Sequence, residues 1–600
     1  MESQPASDPS TARRAEFSTI GVFVDGKARL GHTNSWMRLC WDFEEARGYL
    51  FGLDVTFRPL YERLRRFKGA IKSQHRNMSR SSDGLAVVSP QLSSFELISH
   101  LPSRDIVDVL LRNYMETMNP ILPLFDGTNL NDEMTKIWEC PESADEDSLM
   151  QMFLILGMSC HSLLETEHGL RRDSLDARLV QLLGIGETML NSRYRKTIRT
   201  LPELRALCII VAARIMDIAP FHHTPDCVIL IGVLVRAAQR MNLHRHPRNF
   251  AGIPQQEAHS RLLIWTLIVL LDGLVSVHSC LAPLICEDDY DAKFDLPPDA
   301  QTSTCEELNG SPVHNLNSSW CQEVFLGLMW CLLPTALKVL KRLNSIKPRF
   351  TLSEVEQFDT RMRHVLEKSQ RLLSRNYTDA HTNLALPLQR ALLEVLIRRT
   401  LIDLHQPFAS LQGSSESQRS RLIVQECALA LVVRHEELHE NSLVKRQAAG
   451  LCDLLKEDLG VALIHVSLGI RRGDFDNSAI DNMDRSPNDI AWAALKTALK
   501  ATQSQAARSV KHFQIYAGAS CLGAALEALR SNEPIEKKMT EATHKIIQTM
   551  IQCGINEGAG SEGDAGDFDQ GDEEHMGEDL FLLPGDQARA FLSSPCFFII

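Results

Sequence analysis

Few groups in this 600-residue chain combine residue types and spacings that could do chemistry. The acidic run at 287–291 (EDDYD) is the nearest approach to a metal motif, but it follows a helical segment and leads to Leu-Pro-Pro. Asp272 and Glu257 could form an acid–base pair, yet fifteen positions on a straight helix separate them by about 22 Å. No Gly-x-Ser-x-Gly, phosphate loop or Gly-x-Gly-x-x-Gly after a predicted strand occurs, and Gly184-Ile185-Gly186 lacks a third glycine. We therefore predict no catalytic residues and a protein that is not an enzyme.

Histidines are the other residues that could hold a metal, and His222-His223 and His244-Arg245-His246 are the candidates considered. His244 fits better at a helix end, where an N–H donor or a cation meets free carbonyls. We expect the same role for His405, which precedes Pro407. The sequence therefore predicts no metal site and no cofactor.

The composition is that of an ordinary soluble protein, with 44% hydrophobic and 23% charged residues. A net charge of −13 argues against a wholly basic surface for nucleic acid. The 15 cysteines are scattered, and most lie in apolar runs, as reduced core cysteines do. This pattern indicates a reducing compartment, the cytosol or the nucleus.

One basic segment, 58–80, stands out against the acidic background. The interpretation that assigns it no binding function is a solvated helix face followed by a loop. Its functional interpretation is a nuclear import signal or a phosphate-contacting arm. The candidate DNA-binding residues are Arg63, Arg65, Arg66, Lys68 and Lys72.

The elements that would position these residues are almost all helices, because apolar residues recur with a period near 3.6 and strand signals nearly vanish after residue 40. Predicted helices lie near 148–165, 174–191, 200–217, 225–242, 257–280, 320–345, 353–375, 383–405, 418–439, 444–471, 487–502, 507–530 and 535–552. The segment 262–286 is long enough to span a membrane, but Asp272 near its centre would be costly in lipid. We predict a buried helix in which Arg236 or Arg240 is the partner of Asp272.

The two ends of the chain differ from this all-α body. Residues 1–17 are predicted to be disordered, and an Asp-Gly between two apolar runs predicts a short N-terminal β-hairpin within 18–36. From residue 554 onward the chain is acidic, and no Lys or Arg occurs before residue 587. Such a tail repels itself and should be disordered. We expect either an acidic activation segment or a solubilising tail.

The order of residues from 236 to 297 is the most specific pattern in the chain. A helix ends in Asn-Leu-His-Arg, a long apolar helix follows, and a Pro-containing turn and an acidic stretch lead to Leu-Pro. The residues that carry this order are Leu243, His244, Arg245, Arg261, Trp265, Asp272, Pro283, Leu296 and Pro297. It resembles the fungal-specific transcription factor domain, the middle homology region of zinc-cluster regulators. The family's arginine cluster is reduced here to Arg261, and its second tryptophan is Thr266.

Two further segments extend the resemblance. Residues 101–125 run from a Leu-Pro through a helix to Asn-Pro-Ile-Leu-Pro-Leu-Phe, and residues 401–408 close a long helix with His405, Pro407 and Phe408. The resemblance therefore spans about 18–550. It implies that these motif residues are structural rather than catalytic.

The family's DNA-binding head has six cysteines that share two zinc ions. Here only Cys40 lies within the first 139 residues, and no Cys-x2-Cys occurs. The resemblance therefore implies a nuclear transcriptional regulator that acts through a partner regulator or coactivator, possessing no zinc-cluster head of its own and regulating a metabolite gene cluster. The alternatives are a ligand-sensing or inhibitory helical module without DNA binding and, less favoured, an all-α enzyme.

The sequence thus divides into four predicted parts. They are a disordered 1–17, an N-terminal hairpin, basic segment and linker at 18–90, a regulatory domain at 91–553, and an acidic tail at 554–600. No contact with a membrane is expected.

Overall fold

The computed structural model describes most of the chain. The described residues are 20–24, 27–31, 39–40, 42–52, 54–83, 94–125, 127–163, 170–194, 198–218, 226–301, 318–345, 350–373, 385–410, 415–440, 445–476 and 486–555. The sequence predictions for 1–17 and for the acidic tail beyond residue 555 fall outside these residues, as does His222-His223.

Helices make up the body, and the fold class of that body is all-α, as the sequence predicts. The first ten are α1 (Glu44–Leu50), α2 (Arg58–Asp83), α3 (Ser94–Ser99), α4 (Arg104–Thr117), α5 (Gly127–Glu139), α6 (Glu146–Leu163), α7 (Leu170–Tyr194), α8 (Leu201–Met216), α9 (Cys227–Arg240) and α10 (Gln255–Ser279). The next ten are α11 (Pro298–Gln301), α12 (Ser318–Leu343), α13 (Leu352–Leu373), α14 (Ala385–Ala409), α15 (Ser415–Glu440), α16 (Lys445–Leu454), α17 (Lys456–Arg472), α18 (Pro487–Gln505), α19 (Val510–Ser531) and α20 (Ile535–Gln552). Short 3-10 turns lie at Pro141–Ser143, Pro247–Asn249 and Glu287–Asp289.

Two strands precede the helices. β1 (Ile20–Val24) and β2 (Lys27–Gly31) pair antiparallel, with Val24 opposite Lys27.

The helices pack in two groups that share one core. In the N-terminal group, α6 lies against α4, α7 and α8, and in the C-terminal group α15 and α17 lie against α14, α18 and α19. Helix α10 contacts α8, α9 and α12, and α12 in turn contacts α14. The short α16 touches helices of both groups. The long α10 and the short α16 are therefore among the elements that join the two halves.

One predicted helix, 444–471, is two helices in the structure, because α16 ends at Leu454 and α17 begins at Lys456. The buried Lys456 ammonium donates to the carbonyl of Asp453 at 3.2 Å and to that of Ile215 in α8 at 2.7 Å. This side chain supplies donors to carbonyls near the break, and it ties the break to the other half of the molecule.

Among the described residues, two helices are long and apolar enough to cross a membrane, Gln255–Ser279 and Cys321–Leu343. Their most apolar stretches are 78% and 72% buried inside the protein. Burial on all faces is what the central helices of a large helical domain require.

Candidate functional site

The aromatic residues of the 236–297 pattern form one buried cluster. Trp265 of α10 is completely buried, and its ring lies edge-on to Tyr290 at 6.0 Å between centroids. Tyr290 in turn lies 5.2 Å from Trp330 of α12, whose indole N–H donates to the Thr266 hydroxyl at 2.9 Å. Aromatic pairs of this kind add about 0.5–1.5 kcal/mol each beyond the area they bury. Thr266, which stands where the resembled family has a second tryptophan, thus binds a tryptophan that comes from another helix.

Leu243, His244 and Arg245 lie just beyond the end of α9. The N–H of Leu243 bonds the carbonyl of Ala238 at 3.0 Å, and the left-handed Asn242 (φ 59°) turns the chain away from the helix. The His244 carbonyl accepts from the N–H groups of the 291–292 segment at 3.1 and 3.2 Å, and its ring lies 6.1 Å from Trp265. Burial and the adjacent charge of Arg245 lower the pKa of His244. This ring is therefore neutral at pH 7 and packs against an aromatic face.

The role that the sequence suggested for His244, bonding the carbonyls at the helix end, belongs to Arg261. The Arg261 Nη2 donates to the carbonyl of Met241 at 2.5 Å, and its Nη1 lies 3.5 Å from the Glu257 carboxylate one turn earlier. A guanidinium at a helix C-terminus also interacts favourably with the helix dipole. Arg261 therefore holds the start of α10 against the end of α9.

In the described part of the chain Asp272 pairs with no arginine, and because both Arg236 and Arg240 lie in that part, the prediction that one of them is its partner is wrong. Its carboxylate accepts from the backbone N–H groups of Leu284 at 3.2 Å and Ile285 at 2.9 Å. Burial raises the pKa of Asp272 to about 6, and the two backbone hydrogen bonds oppose that rise. The carboxyl group thus holds the chain after α10, including the buried Pro283, against the middle of the helix.

The acidic run at 287–291 binds backbone instead of presenting a metal site. Asp291 accepts from the N–H of His246 and from the side-chain amide of Asn249, both at 2.7 Å, and Asp289 accepts from the N–H of Cys286 at 2.9 Å. Burial disfavours the ionised Asp291, but these hydrogen bonds together lower its pKa. The run therefore anchors the loop after α9.

Leu296 and Pro297 end the pattern at a close contact with α12. An ideal Cβ placed on Gly327 would lie 2.9 Å from the Leu296 Cα, nearer than real side chains approach a backbone. The glycine thus allows α12 to pass directly over the chain at Leu296. Pro297 accepts from the N–H of Ala300 at 2.9 Å and leads into α11.

The third motif segment forms the last two turns of α14, as predicted, but the His405 side chain bonds neighbouring helices instead of the carbonyls at the helix end, which corrects the prediction for this residue. The helix continues to Ala409 with Pro407 within it. The buried His405 ring bridges two helices, with Nε2 3.2 Å from an Asp359 oxygen in α13 and Nδ1 3.2 Å from the Ser420 hydroxyl in α15. Phe408 joins a small second apolar cluster formed by α12, α13 and α14. His405 is therefore a packing and hydrogen-bonding residue of the core.

A buried ionic group sits close to the motif segments. The Arg399 Nε donates to both Asp403 oxygens at 3.1 Å, and its Nη1 donates to Asp458 of α17 at 3.1 Å. His278, near the end of α10, approaches Asp458 to 3.9 Å. Burial raises the pKa of Asp403 to about 6 against the opposing effect of Arg399. This group joins α10, α14 and α17 across the middle of the protein.

Together these contacts make the motif residues a structural junction. Two small cavities of about 30 and 20 Å³ lie elsewhere and are lined by residues outside the motifs. The junction aligns helix ends, rings and carboxylates for packing.

The basic candidates lie on α2, whose opposite face is buried. Tyr61, Leu64, Phe67 and Ile71 pack into the core, where α2 contacts α7, α19 and α20. The candidate residues Arg63, Arg65, Arg66, Lys68 and Lys72 are half-buried or exposed. Arg65 donates to Glu62 at 2.9 Å, one turn before it on the same helix. The role of these residues in DNA binding stays a prediction.

A further group of chemically capable residues was overlooked in the sequence. His435-Glu436-Glu437-Leu438-His439 on α15 has the His-Glu-x-x-His pattern, which places two imidazoles on one helix face. The structure brings Cys452 of α16 beside them. The spacing of the two histidines was the signal that could have found this group.

The sequence of this chain is similar to those of known transcription factors. The chain is 23% identical over 452 residues to transcription factor lepE of Aspergillus flavus. The aligned region covers 72% of this chain and 51% of that protein. It is 24% identical to the equisetin cluster transcription factor eqxF of Fusarium heterosporum, over 58% of this chain and 50% of that protein. It is also 24% identical to the Zn(2)-C6 fungal-type transcription factor mpsB of Macrophomina phaseolina, over 34% of this chain and 29% of that protein.

No family model matches the chain. The chain spans about half the length of the first two relatives. The order of motif residues in the chain and the names of these relatives both indicate a family of transcription factors. None of the three names describes an enzyme. The homologues of this chain are thus fungal transcription factors, and its resemblance to the fungal-specific transcription factor domain family is confirmed.

Proposed function

We propose that this chain is a transcriptional regulator that works in the nucleus and controls a gene cluster for a metabolite. The observation that carries the proposal is that 72% of the chain aligns with a transcription factor, at 23% identity, and that the motif residues of this region form one structural junction. One relative is named after the equisetin cluster and another after the fusarisetin A cluster, which supports the metabolite-cluster role. No catalytic step is part of this proposal.

The proposed layout follows the predicted boundaries. Residues 18–90 would form an N-terminal unit with a β-hairpin and the basic helix α2, and 91–553 would form the regulatory domain. The acidic residues from 554 to 600 would supply an activation segment. The packing of α2 on α7, α19 and α20 supports a layout in which the basic helix of this unit is attached to the domain.

The route to DNA is a separate part of the proposal. The sequence has no Cys-x2-Cys pair, which the two-zinc cluster of the family requires. We propose that the chain reaches DNA together with a second regulator. The basic face of α2 would then add contacts to phosphate, which strengthen binding without reading sequence.

The test is chromatin occupancy of the tagged chain in its own host, together with transcript levels in a deletion strain. We expect a nuclear protein that occupies promoters of one gene cluster, and loss of those transcripts on deletion. Exclusion from the nucleus under all growth conditions, or unchanged transcripts throughout the genome, would refute the proposal.

A pair of matched variants tests the contribution of α2. Arg66→Gln with Lys72→Gln removes two positive charges from its exposed side, and Lys496→Gln with Lys500→Gln removes two from the exposed side of α18. We expect promoter occupancy to fall several-fold for the first variant and to stay unchanged for the second. Equal promoter occupancy for both variants would mean that the α2 charges contribute to solubility alone and not to DNA binding.

A further inference from the structure

Three potential metal ligands meet where α15, α16 and α18 come together. His435 and His439 lie one turn apart on α15, and Cys452 lies on α16. One ligand atom from each of the three residues falls within 4.8 Å of the other two. His435 and Cys452 are buried, and His439 is half-buried. The histidine rings lie 4.5 Å apart between centroids, so they face a common point.

His435 has a buried ring nitrogen, Nδ1, to which no residue in the described part of the chain makes a hydrogen bond. A buried polar atom without a partner is costly, and in native structures it often marks an ion or a water. This atom is therefore a candidate to bind an ion.

Gln505, which is buried at the end of α18, contacts the third member of the group. Its side-chain amide nitrogen lies 3.0 Å from the His439 Nε2. This contact orients the His439 ring and joins α18 to the group.

The neighbouring carboxylate is already occupied, which limits the ligand set to nitrogen and sulfur. Asp453 accepts from both terminal nitrogens of Arg508 at 3.1 and 3.2 Å, and His161 lies 2.6 Å from the same carboxylate. His512 lies 3.2 Å from it on the other oxygen. The group itself offers two imidazoles and one thiol, and this combination of ligands is typical of zinc.

We propose that His435, His439 and Cys452 bind one zinc ion that fastens α15, α16 and α18 together. A cavity of about 20 Å³ adjoins two of the three residues, and its lining includes His435, Cys452, Arg434, Asp458 and leucines. That space holds one water molecule but no substrate. The His-Glu-x-x-His pattern, which supplies a general base in metalloproteases, therefore serves a structural site here.

The test uses the purified full-length chain, first treated with a chelator and then titrated with zinc chloride. Bound zinc is counted by elemental analysis, and cobalt(II) replaces zinc to report sulfur–metal charge transfer and tetrahedral coordination by absorption. We expect one zinc ion per chain and a cobalt spectrum of a tetrahedral site with one thiolate.

Variants separate this site from nonspecific binding to the other thiols of the chain. His439→Gln and Cys452→Ser should lose the bound zinc and the cobalt spectrum. Cys427→Ser, which removes another buried thiol on α15, should keep both. Zinc should also raise the unfolding temperature of the wild type and of Cys427→Ser, and leave it unchanged in the other two.

Circular dichroism establishes that each variant is folded before its metal content is compared. Equal zinc content in all four proteins, or none in the wild type, would overturn the proposal. Because the readouts are metal content and stability, the result does not depend on whether the chain regulates transcription.

Discussion

Replacing Asp272 by Asn tests the central contact of the motif junction. Asp272 is 1% exposed, and its only hydrogen-bond donors in the described part of the chain are the backbone N–H groups of Leu284 and Ile285. Asn has nearly the same shape and keeps one acceptor oxygen, but it cannot ionise. The substitution therefore removes the charge and leaves the packing of α10 in place.

The size of the effect follows from the pKa of the carboxyl group. In the folded protein this pKa is about 6, whereas an unfolded Asp titrates near about 3.9. The folded state thus binds the proton more tightly, so the contribution of Asp272 to stability is greatest below pH 4 and falls as the pH rises to 6. Two units at about 1.4 kcal/mol each give a loss of roughly 3 kcal/mol over this range. The Asp272→Asn variant would be free of that loss.

The measurement is urea unfolding of the wild type and of Asp272→Asn between pH 4 and pH 7, followed by tryptophan fluorescence. We expect the difference in the free energy of unfolding to shift by about 3 kcal/mol in favour of the Asn variant as the pH rises. Asp288→Asn, at an exposed position on the same loop, is the control and should show no shift. A pH-independent difference for Asp272→Asn would refute the description of its carboxyl group as buried without a cationic partner.

Two further pairs of variants test the packing. In α7, Gly184→Ala should raise the unfolding temperature by an amount corresponding to about 0.5–1 kcal/mol, because no heavy atom lies within 4 Å of the added Cβ. Gly186→Ala should lower it by about 1–3 kcal/mol, because that Cβ would lie 2.6 Å from Leu154 Cγ; equal effects would contradict the close contact of α6 and α7. Arg399→Met should cost about 3–5 kcal/mol in urea unfolding, because it removes the guanidinium group that binds two buried carboxylates. Arg419→Met, which breaks an exposed ion pair, should cost less than about 1 kcal/mol, and similar losses for both arginine variants would show that the Arg399 group is solvated.

Periodicity predicted the helical body well because the helices bury continuous apolar faces. The predicted 257–280 is Gln255–Ser279 in the structure, and the predicted 535–552 is Ile535–Gln552. The prediction missed the break near Leu455, because apolar residues continue through it in register. The break depends on the Lys456 ammonium and on a carbonyl of α8, which are distant in sequence.

The candidate site was less predictable because its contacts are made by backbone groups and by distant elements. A buried carboxylate favours an arginine partner on general grounds, but Asp272 binds two N–H groups that no side-chain pattern reveals. Pro407 suggested a helix end, yet the surrounding helices keep α14 continuous past it. The two histidines of α15 can be read from their spacing, whereas the approach of Cys452 requires the fold.

The burial of α10 has a consequence for how the protein is made. Trp330 and the rest of α12, which cover one side of α10, are synthesised about sixty residues after it ends. At a synthesis rate of about 5–20 residues per second, that side of α10 stays uncovered for several seconds until α12 has been made. During this interval the nascent chain presents a stretch as apolar as a membrane anchor, which chaperones and the insertion machinery both recognise. The charge of Asp272 near the centre of this stretch disfavours insertion into lipid, so the carboxylate that fixes the turn in the folded protein also makes the exposed stretch a poorer membrane anchor while the chain grows.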